Sequence, residues 1–357
     1  WSSDVCSSDL GIIGKHNLSK HNLTFRETSV LLNSRLKLDG SMNLMRQVVK
    51  NKPTVGGFYM NPLVGLYRFP RGEDIAYYKE NFEVYDEGRN LNIQNWHTSY
   101  EDFEQNPYWI TNRILSKENR MHVIVSLSAN LKINDWLSLQ ARGNVDYIND
   151  KVRQQFYAST APALAGANGR YIEMDYQETQ YYGDAILMMK KQWDAFSLNA
   201  ALGASINDKT VNSTRYDSKT ASLKYANVFN LANIIMNGSA GLDQKIDARR
   251  QLQSLFATAQ LGYNEFVYLD LSARNDWSST LAYTSHEKSG FFYPSVGFSL
   301  IFNKLMTLPR WVSLAKIRGA YSMVGNDIPM FITNPSSHIT AGGEFLASDA
   351  APFKDME

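Results

Sequence analysis

The stretch VIVSLSANLKINDWLSLQARGNVDY, residues 123–147, decides the fold. In its second half Leu137, Leu139, Ala141, Gly143, Val145 and Tyr147 carry no charge, while the intervening Ser138, Gln140, Arg142, Asn144 and Asp146 are polar. In its first half Val123, Val125, Leu127, Ala129, Leu131 and Ile133 are set against Ser126, Ser128, Asn130 and Lys132. A period of two marks a strand with unlike faces, and Asn134-Asp135 between the runs reads as the two-residue turn of an antiparallel hairpin. Each run is longer than the roughly 5–6 residues usual in a soluble sheet and meets the about 9–11 that a tilted strand needs to cross a bilayer. One apolar face and one charged face suit lipid on one side and a watery lumen on the other. The competing reading is a solvent-facing sheet of a soluble β-protein.

Repetition weighs against that alternative. Leu36, Leu38, Gly40, Met42 and Leu44 alternate with Lys37, Asp39, Ser41 and Asn43 after a strand-like run from Asn22 to Leu32, with Asn33-Ser34 as the turn. Gly183, Ala185, Leu187 and Met189 precede Gln192-Trp193-Asp194, and Leu198, Ala200, Leu202, Ala204 and Ile206 follow it. Leu255, Ala257, Ala259, Leu261 and Tyr263 lead into Asn264-Glu265, then Val267, Leu269, Leu271 and Ala273. FYPSVGFSLIF (292–302) and Val312–Val324 form the last pair. About ten strands therefore form five hairpins, with tight turns on one side and long loops on the other, the asymmetry of outer-membrane barrels. The expected long connections are 51–120, 154–171, 209–247 and the sequence from Gly325 onward. Trp136, Trp193, Tyr263, Phe266 and Tyr268 lie near turns, where an interfacial aromatic girdle would sit.

The chain has 357 residues, is 44% hydrophobic and 12% aromatic, and carries a formal charge of +1. No run of about 18 predominantly apolar residues is present, so a membrane role rests on strands, and near-neutral charge gives no reason to expect nucleic acid. Residues 1–10, WSSDVCSSDL, resemble the translation of a sequencing-library adapter and are set aside as an artefact. The domain of interest is then 11–357, and Cys6, the single cysteine, leaves with the adapter.

Catalytic constellations are scarce. The six histidines show no HExxH or other paired spacing that would hold a metal, and His122 has polar-face parity, which suits a hydrogen-bonded structural role. No cofactor and no covalent chemistry are expected. Glu73-Asp74, Asp86-Glu87 and Glu101-Asp102 could offer oxygen ligands to Ca²⁺, but without EF-hand spacing a solvated loop surface is the better reading. The charges Lys132, Arg142, Asp146, Asp270, Arg274, Lys316 and Arg318 are of mixed sign on the polar face, so they should pair rather than form a selectivity ring. The first long loop is rich in aromatics, including Phe58, Tyr78, Trp96, Tyr108 and Trp109. Their flat faces suit sugar rings, so Trp96, Tyr108 and Trp109 are the candidate substrate contacts, against the reading that they pack the loop.

MNPLVGLYRFPRGED (60–74), QNPYWITNR (105–113), LDLSARNDWSSTL (269–281), FYPSVGFSLIF (292–302) and KIRGAYSMVGND (316–327) together resemble the barrel of the SusC/RagA family of TonB-dependent outer-membrane transporters. The resemblance implies an all-β antiparallel transmembrane barrel, of which this chain would supply about ten of the 22 strands. It further implies energy-coupled import of glycans, or alternatively of peptides, siderophores or cobalamin. The implied partners are a SusD-like surface lipoprotein, the TonB-ExbB-ExbD complex acting through a plug and TonB box not found in this sequence, and outer-membrane lipid. A barrel adhesin and a barrel hydrolase stand as readings from other classes.

Overall fold

The computed structural model describes residues 7–10, 14–52, 54, 59–98, 104–219, 223–235, 241–306, 308–309, 311–325, 327–333, 337–339 and 345–347. Its strands are β1 (Ser7–Leu10), β2 (Asn17–Leu31), β3 (Leu36–Lys50), β4 (Glu83–Asp86), β5 (Leu91–Gln94), β6 (Ile114–Lys132), β7 (Leu137–Phe156), β8 (Arg170–Trp193), β9 (Phe196–Asp217), β10 (Gly241–Tyr263), β11 (Val267–Ser278), β12 (Phe291–Ile301), β13 (Lys316–Ser322), β14 (Ser337–Ile339) and β15 (Phe345–Ala347). Helices α1 (Pro62–Arg68), α2 (Ile75–Glu80) and α3 (Pro107–Arg113) lie between β3 and β6. Eleven strands make one antiparallel sheet in the order β1-β2-β3-β6-β7-β8-β9-β10-β11-β12-β13, with β4-β5 and β14-β15 as separate two-stranded ribbons. Ser7–Leu10 pairs with Asn17–Lys20 at the sheet edge.

The register turns the alternation of each strand into bands across the sheet. One row reads Leu31, Leu36, Leu131, Leu139, Leu187, Leu202, Ala257, Ala273 and Pro294 across successive strands, with no charged member. A row of opposite parity reads Thr28, Asp39, Ser128, Arg142, Asp184, Ser205, Ser254 and Asp276. The leucine face is bare: Leu127 is 61% exposed and Leu202 53% exposed. No second layer of described residues covers it. The buried apolar residues gather at the loop end of the sheet, in Trp109, Ile110, Ile114, Phe156, Ala161, Ala165, Tyr171 and Ile172. A sheet that exposes its apolar face and keeps its core in its loops is built for lipid as its solvent.

On β7 the band runs from Leu137 to Tyr147, after which Asn149, Lys151, Arg153 and Gln155 continue the same face as polar residues. At about 3.4 Å per residue and a tilt of about 40°, that band is about 26 Å tall, against the roughly 25 Å of a barrel's apolar belt. The strands thus project beyond the bilayer. Between β9 and β10 the expected connection 209–247 shrinks to 218–240, because β9 runs on to Asp217 and β10 starts at Gly241. Both faces there are polar, so the alternation fades while the ladder persists. A bulge between Lys245 and Ala248 sits in this extension, where Asp247 adopts φ 48° and its amide donates to Asn212 Oδ1 at 2.8 Å.

The turns keep the expected places with altered geometry. Ile133 N and Asn134 N both donate to Leu137 O, at 3.0 and 3.1 Å, and Asn134 Oδ1 accepts from Trp136 N and Leu137 N. This turn is therefore longer than the two residues expected, because the Asn134 side chain takes over amides that a tight turn would leave open. Between β8 and β9 only Asp194 and Ala195 intervene, with Asp194 at φ 44°. The connection from β12 to β13 departs from the short-turn side: β13 starts at Lys316 rather than at Val312, and the Asn303 side chain clamps Ser313 O and Ala315 N in the intervening segment. The first long connection closes earlier than expected, since β6 begins at Ile114.

Aromatic rings line the turn side as a row. Trp193 stacks on Phe196 at 6.4 Å, Phe196 meets Tyr263 at 5.0 Å, and Tyr263 meets Phe266 at 5.6 Å. Lys191 Nζ lies over the Trp136 ring at 5.7 Å. These contacts join neighbouring hairpins at the level where an interfacial girdle belongs.

Candidate functional site

Two surfaces compose the site: the polar face of the sheet and the folded platform of loops at its far end. On the polar face charges are satisfied laterally. Arg142 grips Asp184 at 3.0 and 2.5 Å while the Tyr182 hydroxyl donates to the same carboxylate at 2.6 Å. Arg26 and Thr28 hold Asp39 at 2.9 and 2.8 Å, and Arg274 donates to Asp276 at 2.7 Å and to Ser254 at 2.9 Å. Asp270 accepts from Gln260 at 2.7 Å, and Lys132 pairs with Asp135 at 2.8 Å in the turn. No ion pair is seen for Lys316 or Arg318 among the described residues. Such pairs, across strands for Arg142–Asp184 and Arg26–Asp39 and along β11 for Arg274–Asp276, give a hydrated wall of alternating sign rather than a ring of one charge.

His122 Nε2 stands 2.7 Å from Asp146 Oδ1, within this ladder. The histidine is one more cross-strand partner there. No group of three or more His, Cys, Asp or Glu among the described residues is placed to hold a metal. Asp74 caps α2 by accepting from Ala76 N at 2.9 Å, Glu73 accepts from the Tyr78 hydroxyl at 2.9 Å, and Asp86 accepts from Arg89 N at 2.9 Å. These acids organise the loop itself, and Glu101-Asp102 and Phe58 lie outside the described residues.

The platform is knotted by the Gln-Asn-Pro of residues 105–107. Asn106 is fully buried: its Nδ2 donates to Tyr78 O at 2.9 Å and Asn95 O at 2.8 Å, its Oδ1 accepts from Tyr108 N, and its backbone N donates to Gln94 Oε1 at 2.7 Å. Gln105 spans to the next loop by accepting from Ala161 N at 2.8 Å, and Gln94 does so through Ser159. Both α1 and α3 begin with Asn as cap and Pro in the first turn, a helix start signal that Asn61-Pro62 and Asn106-Pro107 already carry in the sequence. Gly65 lets the two helices meet, since a Cβ there would stand 2.5 Å from Gln105 O.

The sequence-derived contacts part company on this platform. Trp109 has no exposed surface, and its Nε1 donates to Thr160 Oγ1 at 3.0 Å, so it packs the platform and offers no face to a ligand. Trp96 is half-buried in a cluster with Phe69 at 5.2 Å, Tyr78 at 5.3 Å and His97 at 4.7 Å. Its Nε1 donates to the buried Glu104 at 3.3 Å, which also meets Arg68 at 3.1 Å. Tyr108 is partly open and lines a groove of about 270 Å³ between α1 and α3 with Leu63, Leu66 and Thr111. A larger cavity of about 340 Å³ joins platform and sheet, lined by His16, Met60, Ile110, Ser116, Glu118, Gln154 and Phe156. Its polar and apolar lining was invisible in the sequence because it joins the start of β2, the first loop and the far ends of β6 and β7.

Asp217 anchors the platform's third wall. It is 2% exposed and accepts from Arg170 Nε and Nη2, both at 2.8 Å, and from Arg215 at 2.6 Å. Burial works to raise its carboxyl; the Arg170 bonds, the Lys219 amide and the neighbouring guanidinium charges outweigh burial and hold it at about 2. Tyr171, packed against Leu223 and Ile234, is pushed up to about 12 by burial and by its bond to Glu173.

No family model and no curated protein matches this sequence. Among solved structures, the RagAB peptide transporter is similar over 92% of this chain and 36% of its own, with a TM-score of 0.65 at 16% identity. The RagAB peptide importer in its closed-closed state gives 0.64 at 17% identity, over 92% of this chain and 35% of its own. FpvA of P. aeruginosa, bound to a heterologous pyoverdine and iron, gives 0.53 at 13% identity, over 83% of this chain and 35% of its own. The chain spans about a third of the length of these proteins. Its fold is that of a segment of an outer-membrane transporter barrel.

Proposed function

We propose that this chain is the central wall of a TonB-dependent outer-membrane importer of the SusC/RagA type, its domain comprising residues 11–357. The observation that carries the reading is the pairing of a lipid-height apolar band on one face with an ion-paired hydrated face on the other, in a sheet superposable on a peptide importer. In this mechanism the platform and a SusD-like lipoprotein capture an oligomeric solute, and TonB-ExbB-ExbD moves a plug so that the solute passes along the polar wall. The wall binds and orients without covalent chemistry. Paired charges suit passage, since Arg142 with Asp184 and Arg274 with Asp276 are already neutralised and would not trap a solute.

Glycans are the substrate class proposed first, through Trp96 and Tyr108. Peptides are the second reading, favoured by the likeness to RagAB. Growth of a strain lacking the parent gene, on single polysaccharides and on defined peptides, separates them. Loss of growth on one class, repeated when TonB is removed, is the expected result. Uptake that persists without TonB would overturn the importer reading and favour an adhesin.

A further inference from the structure

Above the apolar band, the outward face of four adjacent strands is basic. On β2, β3, β6 and β7 this face carries His21, Arg46, Lys50, Lys117, Lys151 and Arg153 beyond the row of Leu44, Val123 and Tyr147, with Met121 and Val48 among them and no acid. Lys50, Lys117 and Arg153 stand directly side by side in the register. Like charges opposite one another cost stability in a sheet, so this arrangement needs an anion from elsewhere. The neighbouring β8 compensates only one side: Asp175 meets Lys151 at 3.4 Å and Glu173 meets Arg153 at 3.2 Å. Arg46, Lys50 and Lys117 are exposed and have no ion pair among the described residues. Below them a groove of about 530 Å³ has an apolar floor of Leu23, Leu44, Met121 and Val123, with Arg46 and Lys151 at its rim.

We propose that this face binds a phosphorylated saccharide lipid of the outer leaflet, acyl chains in the groove and phosphates on Arg46, Lys50 and Lys117. Depth chooses the headgroup. Arg46 lies two residues beyond the Leu44–Val123 row and Lys50 and Lys117 six beyond it, so the cations run from about 5 to about 15 Å above that row for strands rising about 3.4 Å per residue at a tilt of about 40°. A glycerol phospholipid places its phosphate at the lower level alone. A sugar headgroup with several phosphates reaches both, and guanidinium and ammonium groups bind such oxygens by charge-assisted hydrogen bonds. The site rests on the apolar face meeting lipid and is independent of what the barrel carries.

The test uses the full-length parent transporter in phosphatidylcholine nanodiscs doped with lipopolysaccharide bearing a phosphorylated core, with native mass spectrometry counting retained glycolipid. R46Q/K50Q/K117Q should lose retention about tenfold or more, while R46K/K50R/K117R should keep it. Each single Gln variant should show a partial loss, which preserves the test if the triple variant does not insert, and heat-modifiable migration identifies the folded barrels. Equal retention by the folded triple variant, equal retention of the dephosphorylated glycolipid, or displacement by phosphatidylglycerol at equal concentration would each overturn the proposal.

Discussion

At the scale of single residues, buried polar groups hold the platform. Asn106 combines a helix cap with two side-chain bonds to loop carbonyls, all out of water. Asn106→Ala should cost about 2–3 kcal/mol, since the cap is lost and buried carbonyls go unsatisfied. Hydrogen exchange in the parent protein should show residues 59–98 and 104–113 deprotecting while the barrel keeps its heat-modifiable migration. Protection unchanged from the wild type would contradict the knot. Asp217 gives a pH dependence with a definite sign. Its folded carboxyl sits at about 2 against an ordinary 3.8, so its contribution is fully present above about pH 4 and is lost as pH falls through about 2. After allowance for screening, that contribution is about 1–2 kcal/mol. The protection of the Tyr171 and Ser218 amides, taken relative to intrinsic exchange at each pH, should therefore fall between about pH 4 and pH 2, and D217N should remove that step.

At the scale of elements, what could be read from sequence followed the physics of each segment. Inside the bilayer one face must be apolar and the other wet, so Leu137 to Tyr147 spelled out its strand residue by residue. Outside the bilayer that demand stops. Residues 207–217, NDKTVNSTRYD, pair with β8 throughout and with β10 around a bulge, yet show no hydropathy alternation, so the strand's true end is not legible in the sequence. The platform was legible as a folded loop from its aromatics, but the roles within it were not. Trp109 and Trp96 look alike in sequence, and only packing across residues 157–161 separates a sealed ring from a half-open one. The lipid face makes an element-scale prediction: Leu127→Arg, opposite Gly143 at the middle of the band, should destabilise the barrel by about 2–4 kcal/mol, as for Arg near the midplane of a barrel's lipid face, whereas Ser128→Arg should cost much less. Denaturant titration of the parent barrel in liposomes measures both, and equal costs would contradict the facing.

At the scale of the whole molecule, the sheet has two unpaired edges, at β1 and at β13. In hydrocarbon, each unpaired backbone group costs several kcal/mol, and in water such edges template aggregation. The 357-residue chain expressed alone should aggregate; a monomeric, heat-modifiable species in detergent would contradict that expectation. Within the intact barrel the same edges would find neighbouring strands, and the platform, the polar wall and the basic outer belt would each face a different medium. That division of solvents organises the molecule: lipid on Leu139 and Leu202, water on Arg142 and Asp184, and protein alone around Trp109.

The most direct test of this division is spin-label accessibility in the full-length parent reconstituted in liposomes, with single cysteines at positions 139, 145 and 271 and at 140 and 144. The account predicts that labels replacing Leu139, Val145 and Leu271 are relaxed by oxygen and shielded from a water-soluble nickel reagent, while labels replacing Gln140 and Asn144 respond to nickel. Labels at 139, 145 and 271 that are reached by neither reagent would mean the apolar face is packed against protein, and the membrane reading would fall.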